Sequence, residues 1–284
     1  MPGVISVPLT RSRMMNPTPP TPYPDVNVVL FELLSDVQTI LERDLVGMYL
    51  FGSLASGGFD QYSDIDVVVV TADEMSTEQF SALQAMHRRI AGTDSLWATQ
   101  LEVSYIPRHV IRRHDPTDAL HPHLDRGKGE QLQMMQHDSD WVVQRYTLRE
   151  RGIPVVGPPA HTLIDPVSPN ELRQAMVAIL HGWATQILDD PAHMNSRGYQ
   201  SYTVLSLCRI LYTLQHGATI SKRAAAQWAQ DILGGQWVTL IERAWEGRQT
   251  PDLPPQPEDV NRTLDLIRYT LERSKRFEEP TGEG

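Results

Sequence analysis

The sequence predicts an α/β domain followed by an all-helical one. Three observations carry this. Short β-branched or alternating apolar runs occur only before about residue 155. A proline-rich stretch then interrupts the chain between Gly152 and Asn170. Beyond it the apolar residues recur with helical spacing to the C-terminal end.

Taken in order, residues 1–24 hold Pro17, Pro19, Pro20, Pro22 and Pro24 among few apolar side chains, and read as a disordered tail. Val29, Leu30, Leu33, Leu34, Val37, Ile40 and Leu41 line one face of a helix starting near Asp25. Val46 to Phe51 reads as a short strand ended by Gly52, and Ile65 to Val70 as a strand buried on both faces. Ser76 with Gln79 forms a capping-box pattern that opens a helix towards Ile90. Gln100 to Ile106 alternates as a third strand, and a helix is expected from about Glu130 to Arg151, closed by Gly152 and Pro154. The segment from Gly152 to Asn170, with its five prolines, reads as a linker. Leu172, Met176, Ile179, Leu180, Trp183 and Ile187 then share a helical face. Tyr202 to Leu214 is apolar nearly all round, as in the central helix of a bundle, and Gly217 ends it. Further helices are expected near 221–233, 236–246 and 258–277. The resulting division is a tail over 1–24, an α/β domain over 25–157 and a helical domain over 158–284.

Composition narrows the function. At 284 residues with 40% hydrophobic and 21% charged residues, the chain has enough apolar material for two cores. Neither a membrane-length apolar run nor a signal peptide is evident, so a cytoplasmic location is expected. Cys208 is the single cysteine, which excludes an intramolecular disulfide and cysteine-based zinc sites. A net charge of −10 argues against a nucleic-acid partner and suits a cationic small molecule.

The chemistry-bearing pattern is Leu50-Phe51-Gly52-Ser53, a short spacer, then Asp64-Ile65-Asp66 opening Val67-Val68-Val69-Val70. A strand ending in Gly-Ser lets backbone amides and a hydroxyl approach phosphate oxygens. Side chains at i and i+2 of a strand share a face, so Asp64 and Asp66 project together while Ile65 turns into the core. Two adjacent carboxylates repel unless a cation joins them, which suits Mg²⁺ on a triphosphate. Glu102, in Leu101-Glu102-Val103, adds a third carboxylate on the next strand, as a metal ligand or as the general base for an acceptor hydroxyl.

This pattern resembles the DNA polymerase β-like nucleotidyltransferases, and over about Val46 to Arg276 the chain resembles the aminoglycoside 3″(9)-adenylyltransferases. The carrying segments are Leu101-Glu102-Val103-Ser104, Val155-Val156-Gly157-Pro158, Ile164-Asp165-Pro166-Val167, Leu207 to Tyr212, Ser221-Lys222-Arg223 and Trp228-Ala229. The resemblance implies a polymerase β-like nucleotidyltransferase domain with a C-terminal helical bundle. It also implies Mg²⁺ on Asp64 and Asp66, Glu102 as catalytic base, and Arg209 and Lys222 reaching the ATP phosphates. The implied reaction is Mg-dependent transfer of AMP from ATP to a hydroxyl of a small molecule, an aminoglycoside such as streptomycin or spectinomycin, by a monomer. For the acceptor, Trp183 with Asp189 or Asp190 is similar to one family group. The family's next aspartate has no counterpart, since Arg197-Gly198-Tyr199-Gln200 stands there.

Two other patterns stand out in the sequence. His109, His114, His121, His123 and His137 fall in one stretch, but Pro122 breaks regular spacing and a flexible polar loop is expected in place of a ligand set. Arg209 and His216 are spaced as in HEPN-type ribonucleases, which gives the alternative of a protein-modifying transferase in a toxin–antitoxin module.

Overall fold

A computed structural model describes residues 19–278. Residues 1–18, most of the expected tail, lie outside the described range. The end of that segment is folded: Thr21 is buried and exchanges hydrogen bonds with Asn27, and α1 (Pro24–Leu41) begins directly after Tyr23.

The sheet is built from β1 (Leu45–Leu50), β2 (Ile65–Thr71) and β3 (Leu101–Pro107), joined by β4 (Leu120–Leu124), β5 (Gln133–Gln136) and β6 (Ile153–Val156). The short helix α2 (Gly52–Ser56) follows β1, and α3 (Thr77–Ala91) follows β2 with its Ser76–Gln79 capping box formed in both directions. One helical turn, α4 (Arg108–Arg112), follows β3, and α5 (Asp140–Arg151) precedes β6. Strand order is β5-β4-β3-β2-β1-β6, with β2 and β3 parallel and the other neighbours antiparallel.

Alternation in these strands fills two cores. Met48, Leu50, Val67, Val69, Val103 and Tyr105 pack under α1 and α3, while Tyr49, Phe51, Val68, Val70 and Ile106 meet Trp141 and Leu148 of α5. The β-branched run of β2 is thus buried on both faces. Each such side chain contributes roughly 1.5–3 kcal/mol by its removal from water.

The second half is helical: α6 (Pro169–Asp189), α7 (Arg197–His216), α8 (Lys222–Ile232), α9 (Val238–Gly247) and α10 (Pro257–Ser274). Ser168, Ser196 and Ser221 each cap a helix start by accepting an amide hydrogen bond. Gly217 closes α7 with φ 64°, a conformation that favours glycine. Both sides of α7 are buried, and Val204, Leu207, Cys208 and Leu211 form the centre of this core. The buried thiol of Cys208, pushed up to about 12 by burial, is an inert packing group.

Three expectations need correction. The helix expected from Glu130 starts only at Asp140, because Gln133–Gln136 pairs with β4 as the sheet's edge strand. The expected flexible loop at His121-Pro122-His123 is β4 itself, with His121 and His123 buried. Pro122 is accommodated because the ladder to β3 covers only His123 and Leu124. Within the proline-rich linker, Ile153–Val156 forms β6 on the opposite edge of the sheet, where Pro154 faces Tyr49. An edge strand tolerates the missing amide.

Candidate functional site

Parallel pairing of β2 and β3 sets Asp66 opposite Glu102, one residue inside the start of each strand. Asp64 stands two residues before Asp66, immediately ahead of β2. Together the three offer carboxylate oxygens that all lie within 4.8 Å of one another. Burial, then the charge of Asp64, pushes Asp66 up to about 7, against the opposing effects of Lys222, the Ser53 amide and Arg209. Glu102 is pushed up to about 8 by burial and by Asp66, Asp64 and Asp125, with Arg126 opposing. Two buried acids that resist ionisation, with Asp64 beside them, make a site short of positive charge, and a divalent cation would supply it.

The Gly52-Ser53 turn closes over this cluster. Gly52 adopts φ +57°, and a Cβ there would lie 1.9 Å from Asp66 Oδ2. No other residue fits between the turn and the carboxylate. The amide of Ser53 donates to Asp66, and the amide of Phe51 donates to the Asp66 carbonyl at 3.2 Å. The hydroxyl oxygen of Ser53 is shielded and has no partner in the protein. A buried, unsatisfied hydroxyl beside an acidic cluster is a group awaiting a ligand.

Cations approach from the helical half. Arg209, on α7, and Lys222, the first residue of α8, both act electrostatically on Asp64 and Asp66. Burial lowers both from their ordinary values, a cost that these carboxylates partly offset. Lys222 Nζ also lies 5.8 Å from the centre of the Tyr202 ring. Sequence reasoning missed Arg126, whose Nη1 is 3.4 Å from Asp64 Oδ2. It follows β4, whose His121-Pro122-His123 sequence carries no strand signal.

Sequence reasoning also missed Tyr199 and Tyr202 as site residues. Trp183 Nε1 donates to the Tyr199 hydroxyl at 3.2 Å, and its ring meets Tyr202 edge-on at 6.0 Å. Tyr202 is 48% exposed and lies within electrostatic reach of Glu102 and Arg209. An open aromatic wall therefore adjoins the carboxylates. Asp189 and Asp190 sit at the exposed end of α6, where Asp190 accepts the Ala192 amide at 3.1 Å. They make no part of the carboxylate cluster.

A second joint holds the two halves together. Arg248, just past α9, grips Asp60 through both guanidinium nitrogens at 2.8 and 2.9 Å, with Trp245 4.7 Å away. Asp60 opens the turn that leads to Asp64, bonded to Tyr62 and Ser63.

Residues 32–117 match the family described as Nucleotidyltransferase domain, and residues 162–270 match Aminoglycoside adenylyltransferase, C-terminal domain. A relative from Staphylococcus aureus, spectinomycin 9-adenylyltransferase, is 28% identical over 225 residues, 76% of this chain and 82% of its own. An aminoglycoside (3″)(9) adenylyltransferase from Escherichia coli is 24% identical over 86% of this chain and 94% of its own. Among solved structures, spectinomycin adenyltransferase AAD(9) from Enterococcus faecialis, with ATP and spectinomycin, superposes with a TM-score of 0.66. At 18% identity it covers 87% of this chain and 98% of that one, which shows a shared fold. The C-terminal match spans α7 with both Arg209 and His216. His216 packs against Tyr212 and Trp228 at the helix end.

Proposed function

We propose that this chain, whose helical half matches the aminoglycoside adenylyltransferase C-terminal domain, is an enzyme that moves AMP from ATP to a hydroxyl of spectinomycin or a related aminoglycoside. The observation that carries this reading is the cluster of Asp64, Asp66 and Glu102 beneath the Gly52-Ser53 turn, faced by Arg209 and Lys222 from the other half.

Each residue has a role in that reaction. Asp64, Asp66 and Glu102 would hold Mg²⁺, and their crowding without a cation is the fit that supports it. When bound, Mg²⁺ supplies charge neutralisation for the triphosphate and draws the carboxylates into their ionised forms. Gly52 gives the phosphates close access to the backbone, and the unpartnered hydroxyl of Ser53 donates to one of their oxygens. Lys222 and Arg209 offset triphosphate charge from the helical side. Glu102, the second residue of β3 in that cluster, takes the proton of the acceptor hydroxyl. As that oxygen bonds to the α-phosphorus, the bond to the β-phosphate oxygen breaks and pyrophosphate leaves.

On the acceptor side, Trp183, Tyr199 and Tyr202 offer flat apolar surface for a sugar ring. Asp189 and Asp190 offer negative charge to a cationic substituent, in a chain whose net charge of −10 favours such a ligand. Both halves of the site come from one chain, so a monomer suffices. A cytoplasmic location follows from the need for ATP. No helix among the described residues is long and apolar enough to cross a membrane.

The test is a panel of spectinomycin, streptomycin and other aminoglycosides, each incubated with ATP and Mg²⁺ and read by mass spectrometry. A product heavier by one AMP, with equimolar pyrophosphate, is expected for spectinomycin or streptomycin. Unmodified drugs throughout, with ATP binding intact, would overturn the acceptor assignment.

A further inference from the structure

The parallel strands β2 and β3 have a second end. Asp66 and Glu102 sit near their N-terminal ends, about 16 Å along β2 from its last residue, Thr71. Beyond the C-terminal ends, the chain leaving β2 carries Glu74, α4 carries His109, the approach to β4 carries Asp118, and β4 itself carries His121. Three of these donors converge, and His109 meets two of the three. His109 Nε2 is 3.6 Å from Glu74 Oε1 and 3.4 Å from Asp118 Oδ2. Oxygens of Glu74 and Asp118 and a ring nitrogen of His121 lie within 4.8 Å of one another.

We propose that Glu74, His109, Asp118 and His121 form a second metal site, separate from the carboxylate cluster, for a transition dication of the Zn²⁺ type. Donors at 2.0–2.1 Å around tetrahedral zinc stand about 3.3 Å apart, so the spacings at His109 need only a small contraction. The set of two imidazoles and two carboxylates favours Zn²⁺ over the hard cations Mg²⁺ and Ca²⁺, which take oxygen donors.

His121 supplies an independent observation. It is 1% exposed, yet its Nδ1 has no hydrogen-bond partner. Its Nε2 meets only Asp118, the carbonyl at 3.0 Å and the carboxylate at 4.0 Å. Buried imidazoles are ordinarily satisfied, and one left short of partners beside two carboxylates is placed to ligate. The ion would tie the segments leaving β2 and β3 to the start of β4. The site is a staple at the far end of the sheet and takes no part in the transfer reaction.

The test uses full-length protein stripped of metal and held in excess Mg²⁺. Zn²⁺ is titrated by equilibrium dialysis, and Co²⁺ is read by its visible absorption, for wild type, His109→Ala/Asp118→Asn and Asp64→Asn/Asp66→Asn. Wild type and Asp64→Asn/Asp66→Asn should both bind Zn²⁺ and show the tetrahedral Co²⁺ bands. His109→Ala/Asp118→Asn should lose one equivalent of Zn²⁺ and those bands while keeping AMP transfer in Mg²⁺. His109→Ala alone, at a side chain 56% exposed that the fold does not need, should weaken Zn²⁺ by at least about tenfold. Unchanged stoichiometry and bands in the double variant, or their loss only in Asp64→Asn/Asp66→Asn, would overturn the proposal.

Discussion

Replacing Arg248 by alanine removes the one bidentate ion pair described between the helical half and the turn that leads to Asp64. The Arg248 side chain is 16% exposed and Asp60 is 34% exposed, so water screens the pair from one side only. Exposed pairs are worth at most about 1 kcal/mol, whereas hydrogen bonds to charged groups contribute about 1.5–3. The position between these limits, with the Trp245 ring beneath the guanidinium, gives about 2 kcal/mol. For a chain of this size that is about 4–8 °C in melting temperature. Asp60 also fixes the turn through Tyr62 and Ser63. A loosened turn should therefore lower kcat/KM for ATP by up to about 30-fold, the factor that 2 kcal/mol represents. A double-mutant cycle with Arg248→Ala and Asp60→Ala, read by thermal unfolding and by ATP kinetics, isolates the coupling. Coupling below about 0.5 kcal/mol with unchanged kinetics would refute the idea that this pair positions Asp64.

Two further outcomes follow from single residues. Gly52→Ala would place a methyl group onto Asp66 Oδ2 at a left-handed φ, and should reduce transfer at least about 100-fold while leaving the fold intact by circular dichroism; near-normal turnover would contradict the proposed contact. Burial holds His87 at about 4, and burial with His123, His121 and His114 does the same for His137. Both are neutral in the fold, so their contribution is full above about pH 6.5 and is lost as pH falls towards 4, by up to about 3 kcal/mol each. Unfolding measured across that window should show a shallower pH slope in His87→Gln; an unaltered slope would assign the acid lability elsewhere.

How much of this was legible in the sequence depended on how each segment is held. The run Val67-Val68-Val69-Val70 named its own strand because both faces meet apolar cores. Asp64, Asp66 and Glu102 were readable because strand alternation and parallel pairing fix where they point. By contrast, Gln133-Met134-Met135-Gln136 contains only good helix formers, and pairing with β4 overrides that preference. His121-Pro122-His123 carries no apolar alternation, since its buried side chains are imidazoles with ring partners such as His137. Arg126 depended on β4 and was lost with it. The aromatic wall was only half visible: Trp183 fell on a predicted helix face, but Tyr199 and Tyr202 join it through the packing of α6 on α7.

In the proposed reaction Glu102 takes a proton from an acceptor hydroxyl beside the metal-holding Asp64 and Asp66. Glu102→Gln keeps the side-chain volume and removes the base, so the decisive measurement pairs ATP binding with AMP transfer in that variant. ATP affinity should stay within about tenfold of wild type, and AMP transfer to the drug should fall at least about 100-fold. Transfer at the wild-type rate would contradict Glu102 as the base.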